Sequence, residues 1–316
     1  MLREETGLAI ICHGIVCNKE GSRKLAISYY SLNQYLQDTF GCKVYKIALN
    51  ASLTCPNRDG TLDTRGCIFC SAGGSGEFAG NPEKSITEQI EEGKARVSSK
   101  VRDGKYIAYF QAYTNTYGPV ERLRALYEEA IRHPEVCAIS IATRPDCLPE
   151  EVLELLSGMN EIKPVWVELG LQTIHERSAA YIRRGYPLSV YDEAVAKLRE
   201  RGLEVITHVI LGLPGESMQD MKDTVSYVCK SGATGIKLQL LHILKETDLE
   251  KEYLEGKISV MTEEEYVHLL AELLRIIPET VVVHRLTGDG SKKDLIAPLW
   301  SADKKHVLNR IRKELE

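Results

Sequence analysis

The chain has 316 residues, 43% of them hydrophobic, enough to bury a full-sized core and long for one domain unless that domain is an α/β barrel. A formal net charge of −5 gives no global basic field, which argues against a nucleic-acid or anionic-membrane partner while leaving room for a local basic patch. Nine cysteines form an odd set in a large chain. The apolar stretch 7–16 follows an acidic pair, is broken by His13 and is too short to span a bilayer, so a reducing, cytoplasmic setting is expected.

Along the chain, residues 1–25 have no regular pattern and read as an extension, and the apolar spacing of 26–40 predicts a helix. From there short β-branched or aromatic runs alternate with charged amphipathic stretches. The runs are 44–50, 106–111, 138–143, 165–171, 204–211 and 235–243. The helical stretches are 85–101, 119–132, 149–159, 178–182 with 189–201, and 217–231. Strands this continuously apolar, each followed by a helix, predict a parallel sheet covered on its outer face. Six units suit an open, partial (β/α)6 TIM-like barrel, with a doubly wound sheet as the alternative. The expected organisation is an N-terminal extension and helix over 1–40, the barrel over 41–245, and a C-terminal cap over 246–316. The cap holds one clear helix, 262–277, and a polar, glycine-containing segment, 284–290. Barrel chemistry sits at the C-terminal ends of strands, so the residues closing each run are the ones to inspect.

After the first run the sequence ASLTCPNRDGTLDTRGCIFCS gives C-x11-C-x2-C at Cys55, Cys67 and Cys70. Two thiolates separated by two residues reach one metal centre, and a third from a Pro/Asn/Gly-rich loop completes a triangle. Spacing alone leaves two readings open: a zinc site that needs a fourth ligand, or an iron–sulfur cluster with one iron open. A position at the mouth of a barrel strand suits a catalytic centre. Cys12, Cys17, Cys42, Cys137, Cys147 and Cys229 are scattered and read as small buried hydrophobes.

Other strand ends carry polar residues. Gln111, Tyr113, Thr114 and Asn115 close the second strand, Thr143, Arg144 and Asp146 the third, and Glu168 and Gln172 the fourth. Glu168 stands in an apolar run, where a carboxylate is costly unless it is paired or functional. His208 lies within the fifth strand, Leu241 and His242 stand at the end of the sixth run, and Arg184 lies in the RRGY segment. Gly212 and Gly215 in LGLPGES form a strand-to-helix turn and only a weak phosphate-loop signal. Arg285, Thr287 and Asp289 are the polar residues of the tail.

The cysteine loop, with aromatic Phe69 before its last cysteine, resembles the radical S-adenosylmethionine (SAM) superfamily. The segments AYFQAYTNTYGPVE, SIATRPDCL, WVELGLQT, VILGLPGE and HRLTGDG…DLIAPLW resemble the bacterial branch related to the radical SAM half of the Elongator catalytic subunit. The resemblance implies a 4Fe–4S cluster on Cys55, Cys67 and Cys70, SAM on its open iron, and a 5′-deoxyadenosyl radical that takes hydrogen from a substrate. It implies SAM contacts at Phe69, Gln111, Tyr113, Thr114, Asn115, Thr143, Glu168, Gln172, Arg184, His208, Leu241 and His242. Substrate contacts are expected at Arg144, Asp146, His242, Arg285 and Asp289, with Thr287 beside them. The chain departs from the Elongator-type pattern at Ala142, where a glutamate is common, so a ribose-binding carboxylate is not carried over there.

An electron donor such as flavodoxin or ferredoxin is implied as well. No acetyltransferase domain or small RNA-binding barrel fits after residue 243, which favours a small molecule over RNA. Some members of this branch cleave queuine, a 7-deazaguanine base, releasing its aminomethyl precursor for salvage, and that lyase reaction is the expectation here. The alternatives are a tRNA-modifying radical SAM enzyme, which predicts a basic groove, and a non-catalytic iron–sulfur or zinc protein.

Overall fold

Each strand in the computed structural model leads into a helix that returns outside it, so the strands run parallel and their inner face becomes a barrel wall. The structure describes residues 29–100, 104–288, 290 and 292–316; most of the N-terminal extension, Cys12, Cys17 and Asp289 lie outside the described residues. The units are α1 (Leu32–Phe40), β1 (Val44–Leu49), α2 (Ile86–Val97), β2 (Lys105–Phe110), α3 (Val120–Arg132), β3 (Val136–Thr143), α4 (Glu150–Asn160) and β4 (Val165–Gln172). They continue as α5 (Glu176–Tyr181), α6 (Leu188–Glu200), β5 (Glu204–Leu211), α7 (Met218–Lys230) and β6 (Gly235–Leu240). The tail holds β7 (Ile243–Leu244), α8 (Asp248–Leu254), α9 (Glu263–Ile276), β8 (Val282–Arg285), β9 (Leu295–Ala297) and α10 (Lys304–Leu315).

The main sheet has order β1-β2-β3-β4-β5-β6-β8, every pair parallel, and does not close on itself. It is a curled half-barrel with one strand more than the six read from the sequence. The seventh, β8, comes from the tail, so the segment expected as a cap packed on the barrel also contributes a strand to its wall. Only four residues long, with His284 and Arg285 as its second half, β8 gives little periodic signal. The short pair β7–β9 is antiparallel, and its Ile243 and Ala297 join one apolar cluster with Ile68 and Ile182.

Helix boundaries follow local chemistry. Ser85, Ser217 and Thr262 each form a capping box, in which the hydroxyl accepts from the backbone N–H three residues on and the carboxylate there reaches back. The helices cover the outer face, where Leu123, Tyr127, Leu153, Leu198 and Val225 join the largest apolar cluster. Helix α1 has a different task. Its Leu36, with Leu32 and Tyr35, packs against Ile107, Ala138, Trp166 and Ile206, which project into the barrel near the strand starts. Tyr35 meets Trp166 edge-on at 5.8 Å, and Trp166 meets His284 at 5.5 Å. The helix therefore stoppers the bottom of the barrel, and Ser31 adds a parallel bridge to Val283 on the free side of β8.

Candidate active site

The opposite end carries the cysteine loop. After β1 the chain turns through Cys55, whose carbonyl accepts from the N–H groups of Arg58 and Asp59 at 2.8 and 3.2 Å. The Asn57 amide donates to the Arg183 carbonyl at 2.7 Å and reaches the Cys67 sulfur at 3.5 Å. Arg58 folds back so that its guanidinium donates to the carbonyls of Cys70 and Ser71. Asp63 is anchored by Arg65, whose guanidinium hydrogen-bonds to hold the carboxyl far below its ordinary range. These contacts order a segment that has no regular secondary structure of its own.

Cys55, Cys67 and Cys70 all line one cavity of about 240 Å³ at the C-terminal mouth. Burial pushes the Cys67 thiol up to about 12 and raises Cys70 too, although the Arg58 guanidinium beside Cys70 pulls the other way. Among the described residues, the three sulfurs do not all lie within 4.8 Å of one another. Tetrahedral zinc, with Zn–S near 2.3 Å, would draw them to about 3.8 Å. A cubane cluster, whose thiolates bind different irons, sets them wider apart, so this donor set fits the cluster better than zinc.

The cavity wall uses backbone conformations that side chains rarely adopt. Ser75, Tyr113 and Gln172 line it with φ of 63°, 62° and 70°, an arrangement that clusters at functional sites. The Tyr113 ring lies across Gly74, where an added Cβ would stand 2.4 Å from a ring carbon, so only glycine fits. The Tyr113 hydroxyl donates to the Ala72 carbonyl, and the Gln111 amide donates to that of Ser75, both tying β2 to the cysteine loop. Gln172 keeps its buried Oε1 without a hydrogen-bond partner. A lone acceptor in a cavity wall suits a ligand hydroxyl, as a ribose would offer.

The floor is ionic. Glu168 is fully buried and accepts from Lys46 Nζ at 2.6 Å, Ser140 Oγ at 2.6 Å and His208 Nε2 at 2.7 Å, and also from Lys237 Nζ. Burial alone would raise its pKa, but Lys237 and Lys46 together hold it well below the carboxylate range. Burial brings Lys237 down to about 7 against the pull of Glu168, and burial with Lys237 brings His208 down to about 4. His208 is thus a neutral donor or acceptor at ordinary pH, and Lys237 titrates near neutrality. Tyr109 lies beside them, its hydroxyl 3.3 Å from Lys237 Nζ and its ring 4.5 Å from the same ammonium.

The other expected residues fall into three groups. Phe69, Thr114, Thr143, Leu241, His242 and Arg285 line the cavity, and so does Ala142, in register with Glu168. Arg144 and Arg184 line it too, but their guanidiniums are occupied. Arg144 binds both oxygens of Asp146 at 2.9 and 2.7 Å; Arg184 donates to Tyr186 O, Thr173 O and Glu176. Asn115 and Asp146 lie off the cavity: the Asn115 amide spans the carbonyls of Phe110 and Ala142, and Asp146 faces an outer groove. Thr287 is buried. Lys46, Tyr109, Ser140, Lys237 and Tyr186 were missed. The signal that marked Glu168, a charge inside an apolar strand, was equally present at Lys46 in VYKIAL and Lys237 in GIKLQL.

A model described as the radical SAM superfamily matches residues 63–228, and one described as the Radical_SAM C-terminal domain matches 233–316. The protein YtqA of Bacillus subtilis (strain 168) is 49% identical over 288 residues, covering 91% of this chain and 89% of its own. Elongator complex protein 3 of Drosophila melanogaster is 25% identical over 188 residues, 56% of this chain and 32% of that one. The solved Elp3 of the archaeon Methanocaldococcus infernus shares the fold with a TM-score of 0.64 at 17% identity, over 86% of this chain and 63% of that one. Among the described residues no helix is long and apolar enough to cross a membrane.

Proposed function

The chain belongs to the radical SAM superfamily, and from that premise we propose that it abstracts hydrogen from a small molecule seated on the Glu168 floor. The observation that carries this reading is that one cavity has three thiols at its rim and a buried acid–base group at its floor. Cys55, Cys67 and Cys70 hold a 4Fe–4S cluster, and bound together the cluster and SAM supply a 5′-deoxyadenosyl radical. Gln172 accepts from a ribose hydroxyl, and Tyr113 and Gln111 fix the wall against which the cofactor rests. Ser140, Lys46 and His208 hold Glu168 ionised. Lys237, titrating near neutrality, takes or gives the proton that substrate bond cleavage moves.

The substrate we assign on resemblance is queuine, whose C–N bond breaks to release the aminomethyl deazaguanine precursor, with flavodoxin or ferredoxin supplying the electron. A cavity of about 240 Å³ supports a base-sized rather than a duplex substrate. The test is anaerobic reconstitution with iron and sulfide, then reduction with SAM in the presence and absence of queuine. We expect 5′-deoxyadenosine in both, and the aminomethyl base by mass spectrometry with queuine. Full cluster loading without 5′-deoxyadenosine would sink the enzyme reading; 5′-deoxyadenosine without the base would sink queuine alone.

A further inference from the structure

The guanidinium of Arg58 fills a gap inside the cysteine loop. Its Nη2 donates to the carbonyls of Cys70 and Ser71 at 2.9 and 2.5 Å, and its Cζ lies 5.9 Å from the centroid of the Tyr113 ring. It also lies against the backbone of Gly66, whose φ is +77°; a Cβ there would stand 3.0 Å from Arg58 Nε and 3.2 Å from Cζ. Glycine immediately before Cys67 thus leaves the space that the guanidinium takes, and Arg58 lines the cavity with Cys55, Cys67 and Cys70.

Its charge is handled differently from that of its neighbours. Arg65, Arg144, Arg183 and Arg184 each meet a carboxylate, on Asp63, Asp146, Asp248 and Glu176 in turn, at between 2.5 and 3.1 Å. Arg58 is half-buried and pairs with no carboxylate among the described residues; its hydrogen bonds end on neutral carbonyls. Burial works against its charge, yet Cys70 above all, with Tyr113 and Cys55, keeps the guanidinium more firmly protonated than usual. The anion that answers this cation is therefore a thiolate. The Asn57 amide, 3.5 Å from Cys67 Sγ, and the Ser75 hydroxyl, 3.9 Å from Cys70 Sγ, offer dipoles where Arg58 offers a full charge.

The potential of an iron–sulfur cluster follows its net charge and the hydrogen bonds to its sulfurs. A cation fixed by two carbonyls, a ring and a glycine steadies an added electron without rearranging. We infer that Arg58 is a positioning residue whose charge raises the reduction potential of the cluster held by Cys55, Cys67 and Cys70. The step moves one electron from an external donor of the flavodoxin or ferredoxin class to the cluster; no bond forms or breaks, and the guanidinium keeps its proton. The inference rests on the cluster reading above and gives one residue control of its first step.

The test reconstitutes the full chain and its variants anaerobically, counts iron and sulfide, and titrates the reduced cluster against potential by electron paramagnetic resonance without SAM. Arg58→Gln keeps an amide for the carbonyls and removes the charge. At any fixed potential its ratio of reduced to oxidised cluster should fall about tenfold, which is about 59 mV for one electron. Arg58→Lys, which keeps the charge, should stay within threefold of the parent. Arg58→Gln at the parent's potential with matched iron overturns the inference. An equal fall in the glutamine and lysine variants overturns it too, since the planar fork and not the charge would then be responsible. Arg58→Gln holding less than half of the parent's iron assigns Arg58 to loop order alone and overturns it as well. A parent that takes up no cluster fails earlier and sinks the cluster reading itself.

Discussion

Replacing Glu168 by glutamine preserves the shape of the side chain and removes the one carboxylate that Lys46 and Lys237 both touch. Removing one member of a buried ion pair costs about 3–5 kcal/mol, because the remaining charge stays desolvated. At roughly 2–4 °C per kcal/mol for a large domain, the melting temperature should fall on the order of 10 °C at pH 6. The cost depends on pH in a definite direction. Lys237 sits near 7 only because Glu168 opposes the effect of burial, so in the variant its pKa falls further. Below pH 7 the parent gains from a charged Lys237 beside Glu168, and the variant cannot. Above pH 7 Lys237 is neutral in both, so the difference should shrink from pH 6 to pH 8. Glu168→Gln/Lys237→Met, which removes both charges, should recover more than half of the loss at pH 6. Thermal unfolding by circular dichroism at the two pH values reads all of this. A loss under about 1 kcal/mol at pH 6, or a double variant less stable than the single one, would refute the coupled floor.

Other perturbations read other parts of the molecule. Cys67→Ser should leave the fold intact by circular dichroism and abolish the visible absorption of the reconstituted cluster. Asn57→Ala, which frees the Arg183 carbonyl and the Cys67 sulfur together, should lower iron content per chain several-fold at a stability cost of about 1–3 kcal/mol. His208, held near 4 in the folded chain against 6.5 unfolded, costs stability as pH falls through that interval. The sum is about 3 kcal/mol, and His208→Gln should flatten the stability profile between pH 6.5 and 4. Leu36→Ala, emptying the bottom stopper, should cost about 2–5 kcal/mol in chemical denaturation while cluster loading is retained.

The barrel was legible in the sequence because its strands are buried on both faces and read as unbroken apolar runs. β8 escaped because Val282–Arg285 is too short to show a period and turns polar within two residues. The cysteine triangle was legible from spacing and from its place after the first strand. The ionic floor was half legible: Glu168 and His208 stood out, but their lysines lie on strands far away in sequence, joined to Glu168 only once the sheet curls. Arg184 shows the reverse. Its local segment suggested a charge offered to a ligand, whereas three nearby acceptors take up the guanidinium after folding.

The bridge between Ser31 and Val283 also constrains the order in which the molecule comes together. Helix α1 is among the first described segments to be synthesised, yet its seat includes β8, which is among the last. Until that late strand exists, the stopper has only part of its berth and the apolar strand starts around Trp166 stay unsealed. Contacts this distant in sequence carry a large loop-closure cost and form slowly. The nascent chain must therefore carry an exposed apolar barrel bottom for most of its synthesis, and a truncation that removes β8 should aggregate through that surface.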